Sequence, residues 1–330
     1  MIIKLNSLSV VKVAQALLVA SSLFCAFGAQ AQASKNTVRI LVGFPAGGGV
    51  DAVARHLADG MSTALGQPVV VENRTGAGGQ IAAQALKGAA PDGNTLFLSN
   101  DHTVVTIPLT TKNPGFNPAK DFTPIANVAN VAFAIAVHPS IKVTKMADLS
   151  AWVHQNPGKA NVGVPASASL PEFTVGLLNK ALNMDAVAVA YRGGAPMVVD
   201  LIGGQVPIGI TSVSELLPYQ KADKIRVLAV SGQARTPLLP DVPTFTELSI
   251  KGLEQSNFLA FFAPAGTPPA VVIRYNELLR TLLASASIQE KVEGLGMQPA
   301  HSSPEELSQK LQRTTDNWAT VIKQSGFKPQ

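Results

Sequence analysis

Three consecutive glycines, Gly47, Gly48 and Gly49, sit in GFPAGGGVDAVARH, between the β-branched run VRILV and a segment of helical periodicity. A glycine loop that opens a helix suits a small anion. The unpaired amides of the first turn point out of the helix end, glycine leaves no Cβ in the way, and the dipole favours negative charge there. Gly47, Gly49 and Ala52 also meet the G-x-G-x-x-[G/A] spacing of a dinucleotide cradle, with Glu72 closing the next strand where an acidic ribose ligand would sit. Pro45 opposes that reading, because it stiffens a turn that normally begins with glycine. A third reading leaves the glycines to a tight strand-to-helix turn alone. Asp51, in the first turn, either caps the helix or receives a ligand's ammonium or hydroxyl group.

Other chemistries find less support. His56, His102, His138, His154 and His301 are scattered, with no H-E-x-x-H and no G-x-S-x-G, so neither a catalytic residue nor a metal site is expected. His102, beside Asp101 and directly after TLFLSN, is the histidine placed to reach a cleft edge. The sole cysteine, Cys25, lies near the amino terminus, in a segment that reads as a leader. The rest of the chain therefore offers no disulfide, thiolate nucleophile or cysteine metal ligand.

The elements that must position these residues alternate. From Thr37 the order is VRILVGF, a helix from about Gly49 to Leu65, VVVEN, a glycine-rich turn, a second helix and TLFLSN. Val50, Val53, Ala54, Leu57, Met61, Ala64 and Leu65 lay one apolar stripe along the first helix, which Gly66 ends and Pro68 prevents from continuing. Such βαβ units predict a parallel sheet covered by helices, with binding loops at the carboxyl ends of its strands. A second α/β set follows FAIAVHP: ADLSAWVHQ, ANVGV, FTVGLLNKAL, AVAVAY, a helix from about Pro196 to Ile202, PIGITS and IRVLAVS. AFAIAVH and NFLAFFA read as a pair of strands by which the chain crosses to a second lobe and returns. Thr267 is placed as an N-cap before Pro268, and Ser303-Pro304-Glu305-Glu306 as a capping box opening a last helix.

Residues 1–33 stand apart. Lys4 and Lys12 precede an apolar run from Val13 to Phe27, and Ala29, Ala31 and Ala33 follow, the pattern of a secretory signal peptide cleaved after Ala31 or Ala33. A run of about 15 apolar residues is shorter than the roughly 20 needed to span a bilayer. Export of this kind carries no cytoplasmic cofactor along, which argues further against a dinucleotide and for a periplasmic location. Lys and Arg number 26 against 21 Asp and Glu, scattered along the chain, so no nucleic-acid surface is expected. The remaining length suits two lobes of about 100 to 150 residues.

GFPAGGGVDAVAR, LGQPVVVENRTGAGGQIAAQAL, APDGNTLFLSN, VAYRGGAPMVVDLIGGQV, LAVSGQARTPLLPDVPTFTEL and FFAPAGTPPAVV together resemble the substrate-binding receptors of tripartite tricarboxylate transporters, the Bug family of periplasmic solute receptors. The resemblance implies an α/β, type II periplasmic binding protein fold: two α/β lobes joined by two crossing strands, with a ligand cleft between them. Residues 34–135 plus 260–330 would form the first lobe and 136–259 the second. It implies a monomer without cofactor or enzymatic activity that captures a small organic carboxylate by hinge closure and delivers it to the transporter's membrane subunits. A ligand sensor for a signalling partner and, at greater distance, a nucleotide-dependent enzyme are the alternatives. In the first lobe the implied ligand-binding residues are Phe44, Pro45, Ala46, Gly47, Gly48, Gly49, Asp51, Ser99, Asn100 and His102. In the second they are Pro165, Ala166, Ser167, Ala168, Ser169, Tyr191, Arg192, Gly193, Thr211 and Ser212. Val50 stands where the family usually carries threonine; with Phe44 and Tyr191 it points to a partly apolar or aromatic acid, unless these residues merely pack. Glu172 and Asp101, if turned to the cleft, would instead favour a ligand carrying an ammonium group.

Overall fold

The structure, a computed structural model, describes residues 37–254, 257–324 and 327–329. The expected leader and its cleavage points lie outside the described residues. The chain runs through β1 (Val38–Val42), α1 (Gly49–Leu65), β2 (Val69–Asn73), α2 (Gln80–Lys87) and β3 (Thr95–Asn100). A π-helical turn, His102–Thr106, continues into α3 (Ile107–Thr110), and α4 (Pro118–Asp121) leads into the long β4 (Phe122–Val131). Then come β5 (Phe133–Val137), α5 (Met146–Gln155), β6 (Asn161–Val164), α6 (Leu170–Leu182), β7 (Val187–Ala190), α7 (Gly194–Ile202), β8 (Ile208–Ser212), α8 (Val213–Lys221) and β9 (Arg226–Val230). The last elements are β10 (Asn257–Pro264), α9 (Pro269–Leu283), α10 (Ala286–Gly294), β11 (Gln298–Pro299) and α11 (Pro304–Gln324).

Two sheets result, a six-stranded one in the order β11-β4-β10-β3-β1-β2 and a five-stranded one in the order β7-β6-β8-β5-β9. In the first, β1 runs parallel to β2 and β3, while β10 lies antiparallel between β3 and β4. In the second, β6 is parallel to β7 and β8, and β5 lies antiparallel between β8 and β9. The parallel sheet expected from the βαβ pattern is thus mixed in each case. AFAIAVH and NFLAFFA each follow one of the two changes of sheet, and they lie in different sheets. NFLAFFA is β10 in the first sheet, where its partner is β4, and FAIAV is β5 in the second. Strand β4 escapes a pattern reading because Pro124, Asn127 and Asn130 interrupt its alternation. The chain changes sheet at Ala132, whose carbonyl accepts from the Val213 amide (2.8 Å), and again ahead of Asn257. The expected limits at 135/136 and 259/260 fall inside β5 and β10.

Both faces of the first sheet are buried. Val38, Ile40 and Val42 point to the face covered by Val53, Leu57 and Met61 of α1 and by Val272 and Leu279 of α9. Leu41, Phe97 and Phe262 point to the opposite face, under Leu86 of α2 and Leu307 of α11. Each such side chain removed from water contributes roughly 1.5–3 kcal/mol. Helix α1 stops at Gly66, left-handed at φ 60°, with its amide on Ser62 O. Thr267 does not cap α9. Its hydroxyl donates to Pro264 O (2.8 Å), and Pro268 holds the position before the helix.

Helix α11 opens as the sequence implies: the Ser303 amide donates to Glu306 Oε2 (2.8 Å) and the Glu306 amide to Ser303 Oγ (3.1 Å). It also reaches the second sheet's side, where the Phe327 ring beyond its end meets Phe173 of α6 edge-on at 5.5 Å. Replacing Ser303 by Ala should cost about 1 kcal/mol in urea unfolding. A loss below the few tenths typical of surface changes would mean the box contributes nothing.

Candidate functional site

A cavity of about 730 Å³ opens between loops of the two sheets. From the first sheet come Gly43, Phe44 and Pro45 after β1, Thr75, Gly76 and Gly78 after β2, and His102 after β3. From the second come Pro165, Ala166 and Ser169 after β6, Tyr191 to Gly194 after β7, and Thr211, Ser212 and Glu215 at the end of β8. In each sheet these loops follow three mutually parallel strands, so all leave the sheet at the same edge. Phe133 and Asn257 also line the cavity. They begin strands antiparallel to β8 and β3, so their starts lie where those strands end: Phe133 is opposite Ser212, and Leu259 is opposite Asn100.

The first-lobe loops are held from behind. The buried Asp51 carboxylate accepts from the Gly47 amide, Arg55 Nε and Asn73 Nδ2, each at 2.8 Å. Asn73 Nδ2 also donates to Phe44 O (3.0 Å). Burial works against ionisation of Asp51, yet the hydrogen bonds from Arg55, Gly47 and Asn73 outweigh it and bring the carboxyl down to about 2. A Cβ on Gly43 would fall 2.6 Å from the Gly79 Cα, so the loops after β1 and β2 touch backbone to backbone. Thr103 Oγ1 donates to Gly78 O (2.7 Å), tying in the turn after β3. A Cβ on Gly78 would lie 2.9 Å from His102 Nε2. Burial pushes the His102 imidazole down to about 4, so at neutral pH it presents a neutral ring to the cavity.

The second-lobe loops are equally self-contained. Ser169 caps α6: its hydroxyl accepts from the Glu172 amide (3.4 Å) and donates to Ala166 O (2.6 Å). The Glu172 carboxylate accepts from the Ala168 amide (2.6 Å), one residue before the cap, and so ties the turn to the first turn of α6. The Gly193 amide donates to Pro165 O (2.8 Å), joining the loops after β6 and β7. Tyr191 donates its hydroxyl to Asp200 Oδ2 (2.8 Å), and burial with that carboxylate raises the phenol to about 12. Helices α6 and α7 therefore begin at the cavity wall with their positive ends toward it.

The sequence matches the family described as Tripartite tricarboxylate transporter family receptor over residues 53–327. The chain belongs to that family. A UPF0065 protein of Bordetella bronchiseptica is 33% identical over 302 residues, covering 91% of this chain and 89% of the relative. Among solved structures, R. palustris Rpa4515 with adipate is 32% identical, with a TM-score of 0.80 over 90% of this chain and 100% of its own. The periplasmic binding protein BugD is 32% identical, with a TM-score of 0.76 over 90% and 99%. The two-sheet α/β architecture is thus that of the periplasmic binding proteins, and the family is one of solute receptors, not of enzymes.

In this receptor the cavity gathers Phe44, Pro45, His102, Pro165, Ala166, Ser169, Tyr191, Arg192, Gly193, Thr211 and Ser212 from the residues expected at a ligand site. Ala46, Gly47, Gly48 and Gly49 are exposed and lie outside its lining. The Gly47 and Gly48 amides are occupied by Asp51 and Pro45 O, and a Cβ on Gly49 would meet Met297, away from the cleft. Asp51 braces the loop instead of facing the cavity. Ser99 is fully buried, and Asn100 Oδ1 accepts from the Thr103 amide (3.2 Å). Ser167 is exposed and Ala168 is held by Glu172, both outside the lining. Val50 packs against the first lobe's core, so the missing threonine hydroxyl opens nothing in the cavity wall.

The two carboxylates considered for an ammonium group, Glu172 and Asp101, are outside the wall as well. Asp101 is buried against α11, where burial raises its carboxyl to about 7 against the pull of Lys310. Lys310 Nζ donates to Asn130 Oδ1 (2.8 Å) and lies 4.8 Å from the Phe258 ring centroid. The carboxylate that does line the cavity is Glu215. Thr75, Gly76 and Gly78 were legible as a turn but not as a wall; the signal was a glycine-rich loop at the carboxyl end of β2, the same edge as the loop after β1. No group of three His, Cys, Asp or Glu residues among the described ones could hold a metal.

Two outcomes test this bracing. Replacing Gly43 by Ala sets a Cβ against backbone that cannot rotate away, and should cost about 1–3 kcal/mol in chemical unfolding. Asp51 lies at about 2 in the folded protein against an ordinary 3.8. Its contribution to stability is complete above about pH 4 and is lost as pH falls through about 2. Asp51→Asn should therefore flatten the receptor's stability profile between those values; an unchanged slope would show that the loop is held by other means.

Proposed function

We propose that this receptor, exported to the periplasm by the leader in residues 1–33, captures a small organic carboxylate between its lobes and delivers it to the membrane subunits of a tripartite transporter. One observation carries the reading: a cavity walled by loops of both sheets, at which α6 and α7 begin and which Arg192 helps to line. The adipate in the R. palustris structure supports a carboxylate ligand. A single helix end adds roughly 0.3–2 kcal/mol for an anion, whereas micromolar affinity requires about 8 kcal/mol. Loops from both lobes must therefore act together, and closure about the crossings at Ala132 and ahead of Asn257 brings them onto the ligand. Glu215 aside, the wall is free of fixed negative charge, and no residue of the lining is assigned a catalytic role.

A thermal-shift screen over mono-, di- and tricarboxylates and amino acids tests this directly. A ligand at 100 times its Kd adds about 2.7 kcal/mol to folding stability, enough for a clear rise in Tm. Silence across every carboxylate would overturn the reading.

A further inference from the structure

We propose that Glu215 makes this receptor selective for an amino carboxylate, a ligand carrying an ammonium group as well as a carboxylate, over the plain acid. The inference rests on the receptor reading and narrows its ligand class. Glu215 stands in the first turn of α8 with its side chain on the cavity wall. Oε2 accepts from the hydroxyls of Thr211 and Ser212, the latter at 3.0 Å. Among the described residues Oε1 has no hydrogen-bond donor, and no cation pairs with the carboxylate. A Cβ on Gly194 would fall 2.2 Å from both oxygens, so the carboxylate lies against the first residue of α7, a place open only because that residue is glycine.

This arrangement sits poorly with a plain anion. The helix end that would attract a ligand carboxylate already faces one, and a second brought beside it without a cation is repelled. An ammonium group removes the conflict, because its donors match the open Oε1 in a charge-assisted hydrogen bond. Arg192 supplies the complement. It lines the same cavity, is exposed, and has no ion pair among the described residues, with Glu215 or with any other group. With His102 neutral, the wall holds one fixed positive and one fixed negative group, the pattern of a zwitterion.

Calorimetry on matched pairs that differ by the ammonium group tests the proposal: L-glutamate and glutarate, L-aspartate and succinate, 5-aminovalerate and valerate. The wild-type receptor should bind the amino member of at least one pair about tenfold tighter or more. Glu215→Gln should weaken that member by about tenfold or more and leave the plain acid unchanged or tighter, while Arg192→Gln should weaken both members. Equal or tighter binding of the plain acids by wild type overturns the proposal and leaves the receptor reading standing. Loss of both members alike in E215Q also overturns it, since that is what a carboxylate serving only Thr211 and Ser212 would do. If E215Q does not fold, the wild-type preference and the R192Q arm decide. No binding of any member overturns the proposal alone, because the receptor reading is decided by the wider carboxylate screen.

Discussion

The cavity keeps its shape because the loops that wall it satisfy their own hydrogen bonds from behind. Asp51 holds the Gly47 amide while its neighbours Arg55 and Asn73 hold Asp51; Thr103 holds Gly78, and Ser169 and Glu172 close the turn after β6. An unpaired buried polar group is expensive, so a loop without these partners would rearrange or fill with water. Bracing of this kind leaves the loop faces toward the cavity uncommitted, and it fixes them before any ligand arrives. The backbone contact between Gly43 and Gly79 belongs to the same design: two loops from adjacent strands share one wall because neither carries a Cβ at the point of contact.

Charge in the wall follows from which groups are already spent. Glu172 is consumed by the turn before its own helix, Asp51 by the loop after β1, and Asp101 by burial beside Lys310. Desolvation keeps His102 neutral. Arg192 and Glu215 are what remain, the first on the loop after β7 and the second in the opening turn of α8, which follows β8 directly. The second lobe thus contributes the charged groups of the site and the first lobe mainly glycine backbone and an uncharged ring.

The two lobes are joined at defined points. The chain passes from one sheet to the other at Ala132 and returns ahead of Asn257, and α11 packs under the first sheet while Phe327 beyond it touches Phe173 of the second lobe. Lys310 on that helix meets Asn130 and the Phe258 ring, near both crossings, with Asp101 as its buried counter-charge.

Local pattern was enough for much of this protein. The apolar spacing of α1 with Gly66 at its end, the Ser303–Glu306 box, and the alternation of strands and helices could all be read from the residues, because each depends on neighbours a few positions apart. Phe44, Ser169, Tyr191 and Arg192 were expected at the site from the family resemblance, and His102 from its place directly after β3; the cavity lining contains all five. Partnership across the chain was not legible. That β10 pairs with β4, that Phe133 and Asn257 enter the wall, that Asp51 and Glu172 turn away from it and Glu215 toward it, each depends on contacts that the linear pattern does not display. A carboxylate's role is set by which donor reaches it first, and only the folded chain decides which donors are near.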